Sequence, residues 1–380
     1  MFNGSLKDIN KSQWLEEYWQ KAPCLFKNAF DDPPDFLSPD ELAGFALQDE
    51  VESRLIIQNS QTSQWTIEHG PLEQSRFSSL TESHWTLLIQ SIDSWLPESH
   101  ELLNYFRFIP RWRFDDIMVS FATDLGGVGP HADNYDVFLI QGIGERRWRV
   151  GAKGDTSKGT TVIDGMSHLQ DFTPIIDVVM QPGDMLYIPP DTPHWGISKG
   201  ESIGYSVGYR SIQTHQLLSL LTEKLAETPH HQQFFADLYR KKENKSNFFE
   251  DQLVQWAQQQ LIDLSSQPEL LADLMSKQLS LSKLGEYQST NITDIQQLKE
   301  DSQIQLQQGV GVNWLIFDQK VRLNVEGESF DFDPKYLETV KLLASFSPVS
   351  VKLFNFSPDL IDFPSALTNL VNRGYVNTIK

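Results

Sequence analysis

The amino-acid sequence predicts a mainly β core, followed by an α-helical block and a closing α+β module. Three patterns carry this expectation. Between about residues 105 and 210, the runs FRFIP, DIMVSFAT, YDVFLIQG, RRWRVG, IIDVVMQ, DMLYIP and SIGYSVGYR are short, β-type and separated by Gly, Pro and Asp, the spacing of an all-β barrel or sandwich. After Arg210, THQLLSLLTEKLAET, EDQLVQWAQQQLIDL and PELLADLMSKQLS place leucines at i, i+3, i+4 and i+7, as amphipathic helices do. From QIQLQQGVGVNWLIF through VRLNVEGESFDF to DPKYLETVKLLASF and FPSALTNLVNRGYVNTI, strands alternate with two helices.

With 380 residues the chain can bury two or three cores. The expected boundaries are residues 1–210, with a barrel core at about 105–210 under an N-terminal cover; 211–290, helical; and 291–380. The cover mixes helical stretches such as SQWLEEYWQKA with strands such as CLFKNAF and SRLIIQ, and GEYQSTN reads as a linker before the last module. Leucine stripes are more often intramolecular core than partner surface, so the helical block by itself leaves dimerisation open.

Composition narrows the function. A single cysteine, Cys24, excludes a disulfide framework. The opening MFNGSLKDINKSQW has no basic-then-apolar leader and no run of about 18 apolar residues occurs, so a reducing cytoplasm is expected and a membrane is not. A net charge of −20 argues against a non-specific grip on nucleic acid and favours a basic partner. Residues 1–110 alone hold 7 Lys+Arg against 17 Asp+Glu, half of that imbalance, although acidity also serves plain solubility.

The most informative chemistry is His131-Ala-Asp133, followed 61 residues after the aspartate by His194 in YIPPDTPHWG. Side chains two apart on a strand point to the same side, so His131 and Asp133 can reach one metal. The third donor follows a Pro182-Gly183-Asp184 turn, a short buried strand from Met185 to Ile188 and a Pro189-Pro190 break that swings His194 back inward. A His-x-Asp triplet alone is usually an ordinary surface or core pair; the turn, strand and double proline set this one apart. Two imidazoles and a carboxylate occupy one face of an octahedral ferrous ion and leave the other for a co-substrate and dioxygen, which points to a non-heme iron oxygenase.

The segments GPHADNYDVFLIQGIGERRWRVG, GDMLYIPPDTPHWG and YSVGYR resemble the signatures of the bacterial ribosomal oxygenases, JmjC-type cupin hydroxylases. The resemblance implies a double-stranded β-helix barrel, a helical dimerisation block and a winged-helix-like C-terminal domain. It implies Fe(II), with 2-oxoglutarate and dioxygen as co-substrates, and hydroxylation of the β-carbon of an arginine in a basic, large-subunit ribosomal protein. Winged helices often bind DNA, but FDFDPKYLE and SPDLIDFP are acidic where such a surface should be basic, so no direct DNA binding is expected.

Within that resemblance, Arg146 in GERRW stands where the family pairs the distal carboxylate of 2-oxoglutarate, a group too costly to bury alone. Its neighbour Arg147 points the other way. Asp116, Met118 and Ser120 share one face of their strand, with Ser120 deepest and able to hydrogen-bond 2-oxoglutarate. Asp116, Met118, Tyr135 and Ser206 match the family's arginine-binding positions: a carboxylate for the guanidinium, walls for the stem and a further hydroxyl. Taken alone, Tyr135 and Met118 read equally as barrel packing, and Trp148 and Trp195 as aromatic burial. His168, His215 and the pair His230-His231 read as loop or helix and receive no role. Alternatives are a related JmjC enzyme acting on histidine or methyl-lysine, for which Asp116 has little use, and a non-catalytic metal-bearing cupin assembly factor.

Overall fold

The computed structural model describes residues 2–3, 5–62, 64–155, 160–163, 166–227, 235, 251–282, 302–354 and 365–379. Its contacts divide the chain into Met1–Ser211 and Ile212–Lys380. The linker GEYQSTN, the segment SPDLIDFP and the His230-His231 pair lie outside the described residues.

The first unit runs β1 (Phe2–Asn3), α1 (Lys11–Glu17), β2 (Cys24–Lys27), α2 (Pro39–Ala46), β3 (Ser53–Gln58), β4 (Trp65–His69), α3 (Gln74–Ser78), β5 (Trp85–Ile89), β6 (Phe114–Ala122), β7 (Asp136–Gly151), β8 (Thr160–Ile163), β9 (Met166–Leu169), β10 (Pro174–Met180), β11 (Met185–Ile188) and β12 (His194–Tyr209). Among the described residues, ten strands join in the order β1-β2-β11-β7-β12-β6-β5-β3-β4, with β10 also paired to β7, while β8 and β9 form a hairpin. Apart from the parallel β1–β2 contact, the pairs are antiparallel.

β7 and β12 are each 16 residues long, so YDVFLIQG and RRWRVG are one strand and Arg146 lies on it, not on the next. The glycines that look like breaks in the sequence are bulges in the structure. The β7–β12 register shifts between Lys199 and Ile203 and again between Ile203 and Gly204. Gly144 opposite has φ +67, and a Cβ there would fall 2.1 Å from the Glu201 carbonyl oxygen, so only glycine lets the pair bend without separating. Beyond the bend β7 changes partners: Val137–Ile140 pair with β11, Arg146–Gly151 with β10. The strand pair thereby has different neighbours at its two ends, and residues of both strands line a cavity.

β6 is an interior strand between β12 and β5. Its alternation divides it as the sequence suggests: Ile117, Val119 and Phe121 enter the main core, while Met118 and Ser120 face the cavity. The cover is fastened by Trp14 of α1, 1% exposed, whose ring centroid lies 4.9–6.2 Å from those of Trp19, Phe26, Phe108, Phe138 and Tyr187. Beside them, fully buried Asp136 accepts hydrogen bonds from the Tyr187 hydroxyl (2.6 Å) and Gln20 (2.9 Å) and pairs with Arg113 at 3.0 Å.

The second unit begins with α4 (Thr214–Glu227), α5 (Asp251–Ser265) and α6 (Pro268–Gln278), none of which has a buried residue among those described. It continues with β13 (Gln303–Leu306), β14 (Val312–Phe317), β15 (Lys320–Val325), β16 (Glu328–Phe332), α7 (Leu337–Ala344), β17 (Val349–Ser350), α8 (Ser365–Asn372) and β18 (Val376–Ile379). The strands form two three-stranded sheets, β17-β13-β18 and β14-β15-β16, around Leu323, Val325, Phe332, Leu343 and Leu367. No helix among the described residues is long and apolar enough to cross a membrane.

Because Trp14 joins the cover to β7 and β11 through rings alone, Trp14→Ala is expected to lower the unfolding free energy by about 3–5 kcal/mol, read from urea denaturation followed by fluorescence of the remaining tryptophans.

Candidate active site

His131 and His194 are cross-strand neighbours: each backbone N–H donates to the other's carbonyl, at 3.0 and 2.8 Å, and the ring centroids are 4.2 Å apart. The chain at 131–133 makes isolated bridges, from His131 to His194 and to His168, and is not a regular strand, yet Asp133 still turns to the same side. Its Oδ1 lies 3.9 Å from His131 Nε2 and its Oδ2 3.6 Å from His194 Nε2. The Pro189-Pro190-Asp191 turn that redirects the chain toward His194 also clasps this loop, through Asp191 N–H donating to the Asp133 carbonyl at 2.8 Å. One donor atom from each of the three residues lies within 4.8 Å of the others, so the three converge on one point as ligands of a single cation would.

Both imidazoles are oriented by backbone. His131 Nδ1 donates to the Gly129 carbonyl and His194 Nδ1 to that of Thr192, each at 3.0 Å, which leaves both Nε2 lone pairs for a metal. Burial, and then the neighbouring His131, push the His194 pKa down to about 4, so at neutral pH it has no proton to shed before binding a cation. Trp148 holds the wall behind it, its ring centroid 6.0 Å from that of His194. That wall requires Gly196, since a Cβ there would stand 2.7 Å from the indole.

Arg146 lies deeper in the same cavity, 7% exposed. Its Nη1 donates to Ser120 Oγ at 2.9 Å, and its Nη2 and Nε donate to Ser202 Oγ at 2.9 and 3.3 Å; Ser202 Oγ is in turn 2.7 Å from Ser198 Oγ. No carboxylate of the described residues is paired with it. Burial pushes its pKa down only to about 10, so it is charged at neutral pH. A desolvated guanidinium held by serines alone fits a carboxylate-bearing ligand. Ser202 and Ser198 were absent from the sequence expectations: in SKGESIG they resemble any polar turn, and only the bulge in β12 brings them beneath Arg146. Arg147 points outward and forms a two-pronged pair with Asp177, at 2.7 and 2.6 Å.

Met118, Tyr135 and Ser206 line the cavity with the His-Asp-His group and Arg146. Asp116 is not part of that lining. It is buried at the start of β6, with Oδ2 accepting from Gln90 Nε2, Ser91 N–H and Ser91 Oγ. The Tyr135 ring carries the guanidinium of Arg210 at 5.0 Å, and Arg210 pairs with Asp115 at 2.9 Å. Trp195 sits outside the cavity lining, with Arg149 over its ring at 5.7 Å.

One histidine departs from expectation. His168 belongs to β9, not to a loop or helix; it is 5% exposed, bridged to His131, edge-on to Trp65 at 5.5 Å and close against Gly129, where a Cβ would lie 3.0 Å from its ring. MSHLQ carries little β signature, and its pairing with β8 supplies what the local sequence lacks. His215 is exposed on α4.

Behind Asp116, Asp93 accepts the Ile117 N–H at 2.8 Å. Burial, with the Asp116 charge adding to it, pushes the Asp93 pKa up to about 6. A carboxyl raised on folding favours the folded state fully below its unfolded value near 4, and that advantage is lost as pH rises through about 6. Asp93→Asn is therefore expected to stabilise the protein by about 3 kcal/mol at pH 8 and by almost nothing at pH 4, measured by urea denaturation at the two pH values.

The JmjC domain family matches residues 101–217. The ribosomal protein uL16 3-hydroxylase of Escherichia coli is 41% identical over 243 residues, which cover 64% of this chain and 60% of that protein. A probable ribosomal oxygenase of Haemophilus influenzae is 38% identical over 208 residues, covering 53% and 50%. The chain thus aligns with about half to three-fifths of these curated relatives. In three dimensions it is similar to a crystal structure of E. coli YcfD over 98% of this chain and 99% of that one, with TM-score 0.79 and 32% identity. A second YcfD structure, with TM-score 0.77, is a complex with cobalt and 2-oxoglutarate.

Proposed function

Because the chain belongs to the JmjC-domain ribosomal oxygenase family, we propose that it is an Fe(II)- and 2-oxoglutarate-dependent hydroxylase acting on the β-carbon of an arginine in a large-subunit ribosomal protein. The observation that carries this reading is the pairing, in one cavity, of a His-Asp-His group with a buried guanidinium that has only serines for partners. Iron with 2-oxoglutarate and dioxygen supplies the oxidising power: one oxygen atom enters the substrate C–H bond, and the other leaves in the succinate formed as 2-oxoglutarate loses carbon dioxide.

The chain's own residues bind and place. His131, Asp133 and His194 hold the cation, with the Gly129 and Thr192 carbonyls fixing both rings. Arg146 takes the distal carboxylate of 2-oxoglutarate, and Ser120, with Ser202, keeps the guanidinium plane in position. Trp148 and Met180 keep water from the inner wall. Met118 and Tyr135 flank the arginine stem, Ser206 offers a hydroxyl, and Asp116 receives the guanidinium, a task that a pocket for a neutral imidazole would not need. Placement is most of the protein's contribution, since an error of about 1 Å can cost on the order of a hundredfold in rate.

The barrel with its cover at 1–210, the helical block at 211–290 and a winged-helix-like module at 291–380 complete the reading. Leu218, Val254, Leu261 and Ile262 are exposed on α4 and α5, which supports the block as a homodimer surface, and the acidic last module suits a protein contact better than DNA. A ribosomal-protein substrate would place the activity in the cytoplasm.

Incubation with Fe(II), ascorbate, 2-oxoglutarate and overlapping arginine-containing peptides of uL16 should give peptide-stimulated succinate and one added oxygen on an arginine by mass spectrometry, and Asp133→Ala should reduce both to background. Consumption of 2-oxoglutarate that no peptide stimulates would remove the arginine hydroxylase assignment. For the helical block, light scattering should report a dimer that Leu261→Asp with Ile262→Glu converts to monomer.

A further inference from the structure

The segment Gln90-Ser91-Ile92-Asp93, between β5 and a short 3-10 turn at Ile92–Ser94, has no part in the cavity lining, yet it is tied to β6 at the residue read above as the guanidinium acceptor. Three donors converge on a single oxygen of Asp116: Gln90 Nε2, the Ser91 N–H at 3.1 Å and the Ser91 hydroxyl at 3.1 Å. The opposite link runs from the next residue of β6, whose Ile117 N–H donates to Asp93 Oδ1 at 2.8 Å. Gln90 is itself fixed from behind, its side-chain Oε1 accepting from Arg54 Nη2 at 2.7 Å.

Two features show that this is more than incidental packing. Ser91 has φ 52 and ψ 42, a left-handed conformation unfavourable for a residue with a Cβ, and it is this conformation that directs both its N–H and its hydroxyl at the same carboxylate oxygen. Asp116 is 4% exposed and packs against the backbone at Gly208, where a Cβ would stand 3.4 Å from Oδ1. Neutral donors on one oxygen fix the plane of a buried carboxylate, and a fixed plane is what a planar guanidinium reads.

We propose that Gln90 and Ser91 are positioning residues for arginine recognition: through Asp116 they set the carboxylate orientation that selects a guanidinium-bearing side chain. The inference rests on the reading of Asp116 as the substrate's partner. Neither residue touches substrate, so their effect is on binding and not on the oxidative step.

The test compares Gln90→Ala, Ser91→Ala and Asp116→Asn in the full chain, loaded with Fe(II) and 2-oxoglutarate, with the uL16 peptide turned over best by the parent protein. Gln90→Ala should raise the peptide KM about tenfold while kcat and the KM for 2-oxoglutarate change less than twofold. Ser91→Ala, which keeps the backbone donor, should raise the peptide KM about threefold, and Asp116→Asn should raise it most. Loss of kcat and of 2-oxoglutarate binding together with peptide binding in both Gln90→Ala and Ser91→Ala would reveal a merely structural role and overturn the inference. A raised peptide KM in Asp116→Asn with none in Gln90→Ala would overturn it while leaving Asp116 in place as the acceptor. An unchanged peptide KM in Asp116→Asn, or no turnover of any arginine peptide, would overturn the reading of Asp116 and this inference with it.

Discussion

The antiparallel pairing of β7 with β12 is the constraint on which the rest of the first unit depends. His194, Gly196, Ser198, Ser202 and Ser206 lie along one strand, and Leu139, Arg146 and Trp148 along the other. Neither strand could supply both ends of the cavity if the pair were straight, because side chains on one face of a flat ribbon share one direction. The bulge opposite Gly144 interrupts the ladder and bends the pair, pairing resumes on either side at Lys199–Glu145 and Ile203–Ile143, and residues separated in register look into one enclosed space.

Electrostatics sort that space into two zones. At the His-Asp-His end, burial keeps His194 neutral and two backbone carbonyls hold the rings beside the Asp133 side chain. At the other end a guanidinium is buried among hydroxyls that can orient it but cannot neutralise it. An apolar wall that includes Trp148 and Met180 separates these charges from solvent and keeps the effective dielectric low between them.

Much of this was legible in the sequence, and the parts that were not have physical reasons. The His-Asp-His group is legible because a His-x-Asp pair and a double-proline turn are local features; the strand expected at 131–133 is only a bridged loop, yet it keeps both side chains on one side. The alternation of β6 could be read for the same reason, although Asp116 proved to be outside the cavity lining, held by a segment 25 residues earlier in the chain. The long strands read as fragments in the sequence because glycine marks a break and a bulge with the same letter. Ser202 and His168 gave no usable signal: one acquires its place from a bulge, the other from a hairpin partner. In the second unit the helical stripes were plain, but periodicity cannot tell whether an apolar face meets its own chain or another, and α4, α5 and α6 bury none of their described residues.

The bent pair also acts as a ruler. In the β12 register, His194 and Ser198, the latter paired with Arg146, are four residues apart on the same face, about 13 Å of strand. Inserting or deleting one residue between them would shift that spacing by about 3.3 Å and would also turn one of the two faces outward, so the distance can change only in steps of two residues. A cavity gauged in this way tolerates many outer loops but admits ligands of a narrow range of lengths, and drift in the surrounding shells leaves that gauge untouched.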